Sequence, residues 1–319
     1  MTAHNRNLVA ILGGSTAVYL ALAVMMGVLP GIWLSGTPPG PGVAPLTAEQ
    51  AAGRAVYVSE GCAYCHTQQV RPLATDSGFG RPSAPGDFAY QTPQLLGSER
   101  TGPDLTNIGN RQPGTVWQFM HLYQPRSVVP QSIMPAFPWL FEVVDQPPQG
   151  ESAVPVPKPF APAQGVIVPG ARARALVAYL LALKQPAWPL PAAISTAPGA
   201  SPPGAAPAGF DAAAGARLFT SHCAVCHGAE GAGVPGVFPS LAGDPVVNAA
   251  DPAEQIRTVL HGRAGKTING ATYAGAMPPF ADQISDQQIA DIIDHERSSW
   301  GNHAPLVTAA DVAAQRAQP

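Results

Sequence analysis

Two copies of the pattern Cys-x-x-Cys-His constrain this chain more than any other feature. They occupy residues 62–66 and 223–227, and they use all four cysteines of the 319 residues. In such a motif the two thiols can attach to the vinyl groups of a haem, and the adjacent histidine can bind its iron. A thioredoxin-like redox pair would leave both histidines unexplained. The motifs therefore predict two covalently bound haem c groups, with no cysteine left for a disulfide. The attachment residues would be Cys62, Cys65 and His66 in the first copy and Cys223, Cys226 and His227 in the second.

A proline loop and then a methionine loop follow each motif in the same order. Pro103 and Pro239 each stand two residues before a leucine, and Met134 and Met277 each begin the pattern Met-Pro-x-Phe. This order resembles that of cytochromes c, in which a proline carbonyl orients the iron-binding histidine and a methionine sulfur is the sixth ligand. We therefore predict that Met134 and Met277 complete the two iron sites, although a single Pro-x-Leu would be an ordinary turn.

Neighbouring side chains are alternatives to these two methionines. In the first copy they are Met120 and His121, on a helix predicted at residues 115–123, and in the second copy the alternative is His261. A methionine in a sequence most often fills a core. The recurrence of Met-Pro-x-Phe at a similar place in both copies favours the methionine loops.

Helices are predicted before each motif and at the end of each haem domain, so the expected fold class is all-α. Thr47 and Asp211 have the character of helix N-caps before the two motifs. A glycine precedes an aromatic residue by four positions in both of these helices, at Gly53 and Gly215. We expect each glycine to let the closing helix of its domain cross closely, the first of these being the apolar-periodic stretch 172–184.

A long apolar segment at residues 8–34 contains no charged side chain and could cross a bilayer as one helix. A cleaved signal peptide is the alternative, but its apolar region is normally shorter and a small-residue cleavage site follows it. We favour a retained anchor in the bacterial inner membrane. Because c-type haem is attached outside the cytoplasm in bacteria, the haem domains are expected in the periplasm.

The chain divides into segments of different composition, and its 37 prolines and 33 glycines point to linkers. The predicted organisation is a transmembrane anchor (1–34), a tether (35–46), a first haem domain (47–184), a Pro/Ala/Gly-rich linker (185–209), a second haem domain (210–302) and a tail (303–319). The linker predicts that the second domain can move relative to the first. The tail is expected to be loose surface chain.

The first haem domain has an insertion, 67–100, that the second lacks. His66 and Pro103 are 37 residues apart, whereas His227 and Pro239 are 12 apart. An aperiodic segment of this length is either a floppy loop or an interaction surface, and its aromatic and arginine content favours the surface. Arg71 and Arg100 are candidate partners for haem propionates, with ordinary exposed charge as the alternative.

Several motifs of the first 184 residues belong to one recognisable series. They are Gly-Cys-x-x-Cys-His-x-Gln at 61–68, Arg-Pro at 71–72, Asp-Phe-x-Tyr at 87–90, Arg-Thr-Gly-Pro-Asp-Leu at 100–105, His-Leu-Tyr-x-Pro-Arg at 121–126, and Val-Pro-x-Ser-Ile-Met-Pro-Ala-Phe-Pro-Trp-Leu at 129–140. This part resembles the membrane-anchored monohaem subunit II (FixO-like) of cbb3-type cytochrome c oxidases. The second domain resembles a class I-like cytochrome c, and its end, Glu-Arg-Ser-Ser-Trp-Gly-Asn at 296–302, is similar to modules of multihaem dehydrogenases and oxidase-fused cytochromes. Tyr273 and Trp300 there are candidate haem contacts or ordinary core aromatics.

The resemblance implies a non-catalytic electron-transfer subunit of an oxidase in aerobic respiration. Its partners would be the haem–copper catalytic subunit and other oxidase subunits, with a periplasmic or membrane cytochrome as donor. We expect the first site to be docked on the oxidase and the second, mobile site to receive electrons first.

Other functions fit the sequence less well. An electron shuttle of a periplasmic dehydrogenase is the alternative that the second domain alone would support. A dihaem peroxidase needs an open iron position, and two methionine loops argue against one. The net charge of −3 gives no indication of nucleic-acid binding. From residue 210 onward, 11 acidic residues stand against 6 basic ones, which is compatible with a basic redox partner.

Overall fold

The computed structural model describes residues 3–186 and 211–318, except 266, 269, 274, 282 and 283. Residues 187–209 of the predicted linker and Phe210 lie outside the described residues. The helices are α1 (Ala3–Ala23), α2 (Leu29–Ser35), α3 (Ala48–Ser59), α4 (Ile108–Arg111), α5 (Thr115–Tyr123), α6 (Ala171–Ala182), α7 (Ala212–His222), α8 (Ala224–His227), α9 (Ala253–His261), α10 (Asp286–Ser298) and α11 (Ala309–Arg316). The strands form two small antiparallel hairpins, β1 (Phe141–Val144) with β2 (Val166–Pro169), and β3 (Thr267–Ile268) with β4 (Ala271–Thr272). The predicted helical class is confirmed.

The N-terminal segment is one continuous helix, in which a π-helical turn, Val24–Val28, joins α1 to α2. The part from Asn5 to Trp33 is long and apolar enough to cross a membrane, and its most apolar window is not buried by the rest of the chain. Such a surface is unfavourable in water, because apolar area is stabilised only when it is removed from solvent. The helix is therefore a candidate membrane anchor.

The first domain is organised around the crossing of α3 and α6. A Cβ atom built on Gly53 would collide with the carbonyl oxygen of Ala175 and lie 2.8 Å from the Cβ of Tyr179. One turn further along α3, the ring of Tyr57 meets that of Tyr179 edge to face, with their centroids 5.5 Å apart. The glycine thus permits the close crossing that its position before an aromatic residue predicts.

The second domain repeats this arrangement with α7 and α10. Asp211 caps the N-terminus of α7, and its side-chain Oδ1 accepts a hydrogen bond from the backbone N–H of Ala214 at 2.9 Å. A Cβ atom on Gly215 would collide with the carbonyl oxygen of Asp291 on α10. The two domains therefore share one architecture, as the repeated sequence elements predict.

The insertion of the first domain is folded around a buried carboxylate, so the floppy-loop interpretation is not supported. It contains two 3₁₀ turns, Ala74–Phe79 and Pro85–Phe88. Asp76, which is only 1% exposed, accepts hydrogen bonds from Arg71 Nη2 at 3.0 Å and Arg100 Nη1 at 2.6 Å. These arginines hold the pKa of Asp76 well below its usual range, Arg100 contributing most.

The tail was expected to be loose, and this prediction is wrong. Helix α11 packs on α9 and α10, and Val307 and Val312 are 5% and 0% exposed. The backbone N–H of Val307 also donates to the carboxylate of Asp294 at 2.6 Å. Two buried valines and a helix cap at Thr308 are enough to fix so short a segment.

The two haem domains also contact each other, an arrangement that the prediction of a second domain able to move relative to the first did not include. Val237 and Phe238 of the second domain belong to the same contiguous hydrophobic cluster as Trp117 and Tyr179 of the first. A long linker permits separation but does not require it. Contacts between the domains, which no linear pattern reveals, decide the arrangement.

Candidate haem sites

A single open cavity in the second domain brings all the residues predicted for its haem together. Cys223, Cys226, His227, Pro239 and Met277 all line it. Most of the side chains that line it are apolar, as is usual for a cofactor site. The residues predicted to hold this haem, which were identified from their order in the sequence, therefore also lie around one cavity.

The proximal histidine of this cavity is held in one orientation. His227 is buried, and its Nδ1 lies 2.9 Å from the carbonyl oxygen of Pro239. A proline carbonyl can only accept, so Nδ1 carries the proton and Nε2 keeps a free lone pair. Burial lowers the pKa of His227, which favours the neutral ring that binds a metal.

The methionine loop of the second domain also lines the cavity. Met277 exchanges two backbone hydrogen bonds with Arg263, at 2.7 and 3.0 Å, and these fix the loop. His261, the alternative ligand, is exposed at the end of α9 and does not line the cavity. The geometry of the second domain therefore favours Met277.

The lining of this cavity fits a covalently bound haem. Burial raises the pKa of Cys226 to about 11 and that of Cys223 further, so the site favours uncharged sulfur, the state of a thioether. The buried Nδ1 of His222, which also lines the cavity, has no hydrogen-bond partner among the described residues. One imidazole, one thioether sulfur and two attachment thiols are the donor set of a cytochrome c iron.

In the first domain a proline loop holds the haem-binding histidine in the same way. Nδ1 of His66 donates to the carbonyl oxygen of Pro103 at 2.7 Å, which again leaves Nε2 free. Gly102 presses on the ring, because a Cβ atom there would lie 2.7 Å from Nδ1 and 2.8 Å from Nε2. Burial lowers the pKa of His66. The imidazole is therefore clamped between the motif and the proline loop.

A buried carboxylate anchors this proline loop, a role that the sequence analysis did not assign. Asp104 is fully buried and accepts hydrogen bonds from Thr67 Oγ1 at 2.6 Å and from the backbone N–H groups of Gln69 and Thr106, both at 2.9 Å. It thereby ties the loop to the chain that follows His66. The signal for this role is an acidic residue directly after the loop proline.

The methionine loop of the first domain packs against the same core as its haem motif. Met134 and Cys62 are partly buried against the same hydrophobic cluster, and the backbone N–H of Phe137 donates to Leu122 on α5 at 2.9 Å. Of the two alternatives, Met120 is completely buried in the core and His121 stacks on Trp117, with ring centroids 4.4 Å apart. Met134 remains our predicted ligand.

Arg71 and Arg100 form carboxylate contacts in this structure. Both bind Asp76, and Arg100 also contacts Asp104 at 3.4 Å and donates from Nε to Thr67 Oγ1 at 2.7 Å. These contacts stabilise the insertion beside the proximal loop. Their role as propionate partners stays a prediction.

The second cavity includes two residues that sequence reasoning did not single out. Glu296 of α10 and Gln112 of the first domain both line it. Of the two candidate aromatic residues, Tyr273 lines the cavity, whereas Trp300 packs on Phe219 with centroids 4.9 Å apart. Glu296 is one of several charged residues on α10, so no sequence signal singled it out.

Comparisons with known proteins match both parts of the chain. Residues 3–154 match the family model for the mono-haem subunit FixO of cytochrome c oxidase, and residues 212–300 match the model for cytochrome c.

Three relatives represent the curated proteins to which the chain is similar. The cytochrome c subunit of the quinone alcohol dehydrogenase of Gluconacetobacter polyoxogenes is 46% identical over 99 residues, which are 31% of this chain and 21% of that protein. Cytochrome c-552 of Thermus thermophilus is 36% identical over 92 residues, 28% of this chain and 69% of that protein. Subunit FixP of the cbb3-type cytochrome c oxidase of Sinorhizobium medicae is 39% identical over 80 residues, 25% of this chain and 27% of that protein.

The extent of these matches decides what they establish. The chain spans about a fifth of the length of the alcohol dehydrogenase subunits it matches. It covers more than two thirds of cytochrome c-552, and the FixO and cytochrome c models account for separate parts of it. The chain therefore belongs to the cytochrome c family, as a FixO-type mono-haem oxidase segment fused to a C-terminal cytochrome c domain.

Proposed function

We propose that this chain is a membrane-anchored dihaem electron-transfer subunit that delivers electrons to the haem–copper catalytic subunit of a cbb3-type cytochrome c oxidase. The observation that carries this proposal is the FixO match over residues 3–154, which spans the apolar helix, the first haem site and the folded insertion. The chain itself contributes electron transfer and no oxygen chemistry.

Each site would hold one haem c through residues of this chain. Cys62 and Cys65 attach the first group, which His66 and Met134 would ligate. The second would be attached by Cys223 and Cys226 and ligated by His227 and Met277. Once bound, each group supplies a one-electron iron couple whose potential the methionine raises.

The protein around each site orients the histidine. Pro103 and Pro239 fix the two imidazole tautomers through their carbonyl groups. Apolar side chains such as Phe238, Leu241 and Val259 line the second cavity. A ligand set fixed in this way changes little between oxidation states, which suits electron transfer.

The domains would lie in the periplasm, beside the inner membrane. The helix Asn5–Trp33 would serve as a single-pass anchor, and the FixO match, which begins at residue 3, includes all of that helix. We retain the predicted boundaries 47–184 and 210–302 for the two haem domains. The donor would be a periplasmic or membrane cytochrome.

Copurification tests this function directly. The full chain with an affinity tag would be isolated from detergent-solubilised native membranes and its partners identified by mass spectrometry. Recovery of a polytopic haem–copper subunit is the expected result. Recovery of a quinoprotein or flavoprotein dehydrogenase without that subunit would contradict it. A Tyr90→Ala variant, which removes an exposed aromatic ring of the insertion, should reduce the yield of the oxidase partner.

An electron shuttle for a periplasmic dehydrogenase is the second candidate. It is favoured by the relatives named as dehydrogenase cytochrome subunits, including that of Gluconate 2-dehydrogenase from Pantoea cypripedii at 38% identity over 110 residues. The FixO match over the first 154 residues favours the oxidase.

Haem number and axial ligation can be tested together. The wild-type chain should carry two haem c groups in a pyridine haemochrome assay. Met134→Ala and Met277→Ala should each keep both groups but lose about half of the near-infrared methionine-to-iron band, because each variant removes one of two such ligands. Met120→Leu, at a buried non-ligand methionine, is the control and should keep the full band. One haem per chain, or a full band in Met277→Ala, would contradict the assignment.

A further inference from the structure

The attachment segment of the second haem site is bound by the first domain. Trp117 of α5 is buried, and its indole N–H donates to the carbonyl oxygen of Val225 at 2.8 Å. Val225 lies between the two cysteines of the second motif. A hydrogen bond from one domain therefore ends within the haem attachment loop of the other.

A second polar contact lies beside the first. Nε2 of Gln112 is 3.8 Å from Sγ of Cys226, and Gln112 is only 3% exposed. Its backbone carbonyl is held by Nε2 of Gln118 on α5, at 2.9 Å. Gln112 also lines the cavity of the second site, so the first domain supplies part of that wall.

Apolar burial extends the interface around these two contacts. Val225, Cys226 and Val234 pack against the hydrophobic cluster of the first domain, and Val237 and Phe238 belong to it, with 2% and 5% exposure. Burial of this kind stabilises an interface by about 25 cal/mol per Å² of apolar surface. A core shared across two domains distinguishes a fixed interface from a passing contact.

The same hydrophobic cluster also reaches the first haem site. Cys62 of the first motif packs against it, as Cys226 of the second motif does. His121 lies one turn beyond Trp117 on the same face of α5, and the two rings stack with a 10° angle between their planes. The cluster that contains Trp117 therefore contacts attachment residues of both haem sites.

We propose that the first domain docks the second through Gln112 and Trp117, so that the cluster around Trp117 bridges the two haem sites. One electron then passes between the sites: as one is oxidised the other is reduced, and no bond forms or breaks. The docking stands on the contacts alone, whereas its use in electron transfer rests on the proposed function. The bridge makes the two sites a fixed pair rather than a shuttle and its target.

Amide hydrogen exchange of the full chain tests the docking. Val225→Lys should accelerate exchange of residues 223–238 by more than about tenfold, because a charge replaces an apolar contact in the interface. Trp117→Phe keeps a ring but loses the donor, and should accelerate exchange there by about fivefold, the value of one hydrogen bond. Trp139→Ala is the matched control, since this tryptophan of the first domain is 60% exposed and contacts Glu60.

The results distinguish failure of the docking, failure of the bridge and failure of the proposed function. Unchanged exchange in Val225→Lys would overturn the docking, and this variant leaves the core of the first domain intact. Electron equilibration between the sites after photoreduction should slow by at least about tenfold in Val225→Lys as the docked population falls, once the rate is corrected for any change in the two reduction potentials, which are measured in the same variant. An unchanged rate would overturn the bridge. A single haem per chain would instead refute the proposed function and leave the exchange result valid.

Discussion

Replacing Gly53 by alanine should lower the unfolding temperature of the first haem domain by about 10 °C, for a loss of about 3 kcal/mol at roughly 2 to 4 °C per kcal/mol. The added methyl group would collide with the Ala175 carbonyl and lie 2.8 Å from the Cβ of Tyr179. Because one obstacle is backbone, the methyl group cannot be accommodated unless α3 and α6 separate. Alanine gains about 1 kcal/mol in helix propensity over glycine, and this gain is too small to offset the collision.

The measurement is thermal unfolding of the full chain in detergent, followed by circular dichroism and by haem absorbance. Gly78→Ala is the matched control: its Cβ atom would meet nothing nearer than Ser221 Oγ at 4.0 Å, so stability should stay within about 0.5 kcal/mol of the wild type. Gly215→Ala should destabilise the second domain for the same reason as Gly53→Ala destabilises the first. A Gly53→Ala protein that melts with the control would refute the crossing of α3 and α6.

The helix crossings and the proximal loops could be predicted from sequence because local patterns encode them. A cap fixes where a helix begins, and the glycine four residues before an aromatic marks the face on which another helix crosses. The carbonyls of Pro103 and Pro239 accept from the histidines of their own motifs, as the repeated order of elements predicts. A Pro-x-Leu or a Met-Pro-x-Phe is a weak signal by itself. Because both follow a haem motif twice in this chain, together they gave a specific prediction.

The arrangement of the domains could not be predicted in this way. Trp117 and Val225 are 108 residues apart, and neither sits in a pattern that names the other. The Pro-rich linker indicated that the second domain can move relative to the first, because composition describes what a segment permits and not what its neighbours bind. The tail is similar: Val307 and Val312 look like scattered apolar residues until α9 and α10 provide a surface.

The contacts made by charged side chains could not be predicted from the sequence either. Arg71 and Arg100 were candidates for propionates, whereas the structure pairs both with Asp76, a residue with no marked sequence context. A buried carboxylate strongly affects stability, because an isolated charge away from water is costly. Glu296 is the corresponding case in the second domain, and no partner in the linear pattern predicts its position.

Glu296 should make the stability of the second domain depend on pH between about 4.5 and 7. This carboxyl is 5% exposed, lines the haem cavity and accepts one hydrogen bond from Gln255 Nε2 at 2.8 Å. Burial raises its pKa from 4.5 to about 7, and nearby Asp244 adds to the shift, against the opposing effect of Gln255.

The sign of the effect follows from the raised pKa of Glu296. Below about pH 4.5 the carboxyl is protonated in both folded and unfolded chains, and it costs no stability. As pH rises toward 7 the unfolded chain releases the proton first, so the folded state is progressively disfavoured. Above pH 7 the loss is constant at about 3 kcal/mol, from a shift of roughly 2.5 pKa units at 1.36 kcal/mol each.

Glu296→Gln removes this titration and keeps a similar shape. Relative to the wild type, the variant should gain little free energy of unfolding at pH 4.5 and about 3 kcal/mol at pH 8. Guanidinium unfolding at both pH values measures the difference, in which other carboxyls such as Asp294 cancel because both proteins contain them. Glu230→Gln, at an exposed position of the same domain, is the control and should show no such change between the two pH values. An equal gain at pH 4.5 and pH 8 would mean that the carboxyl of Glu296 is not protonated within the cavity at neutral pH.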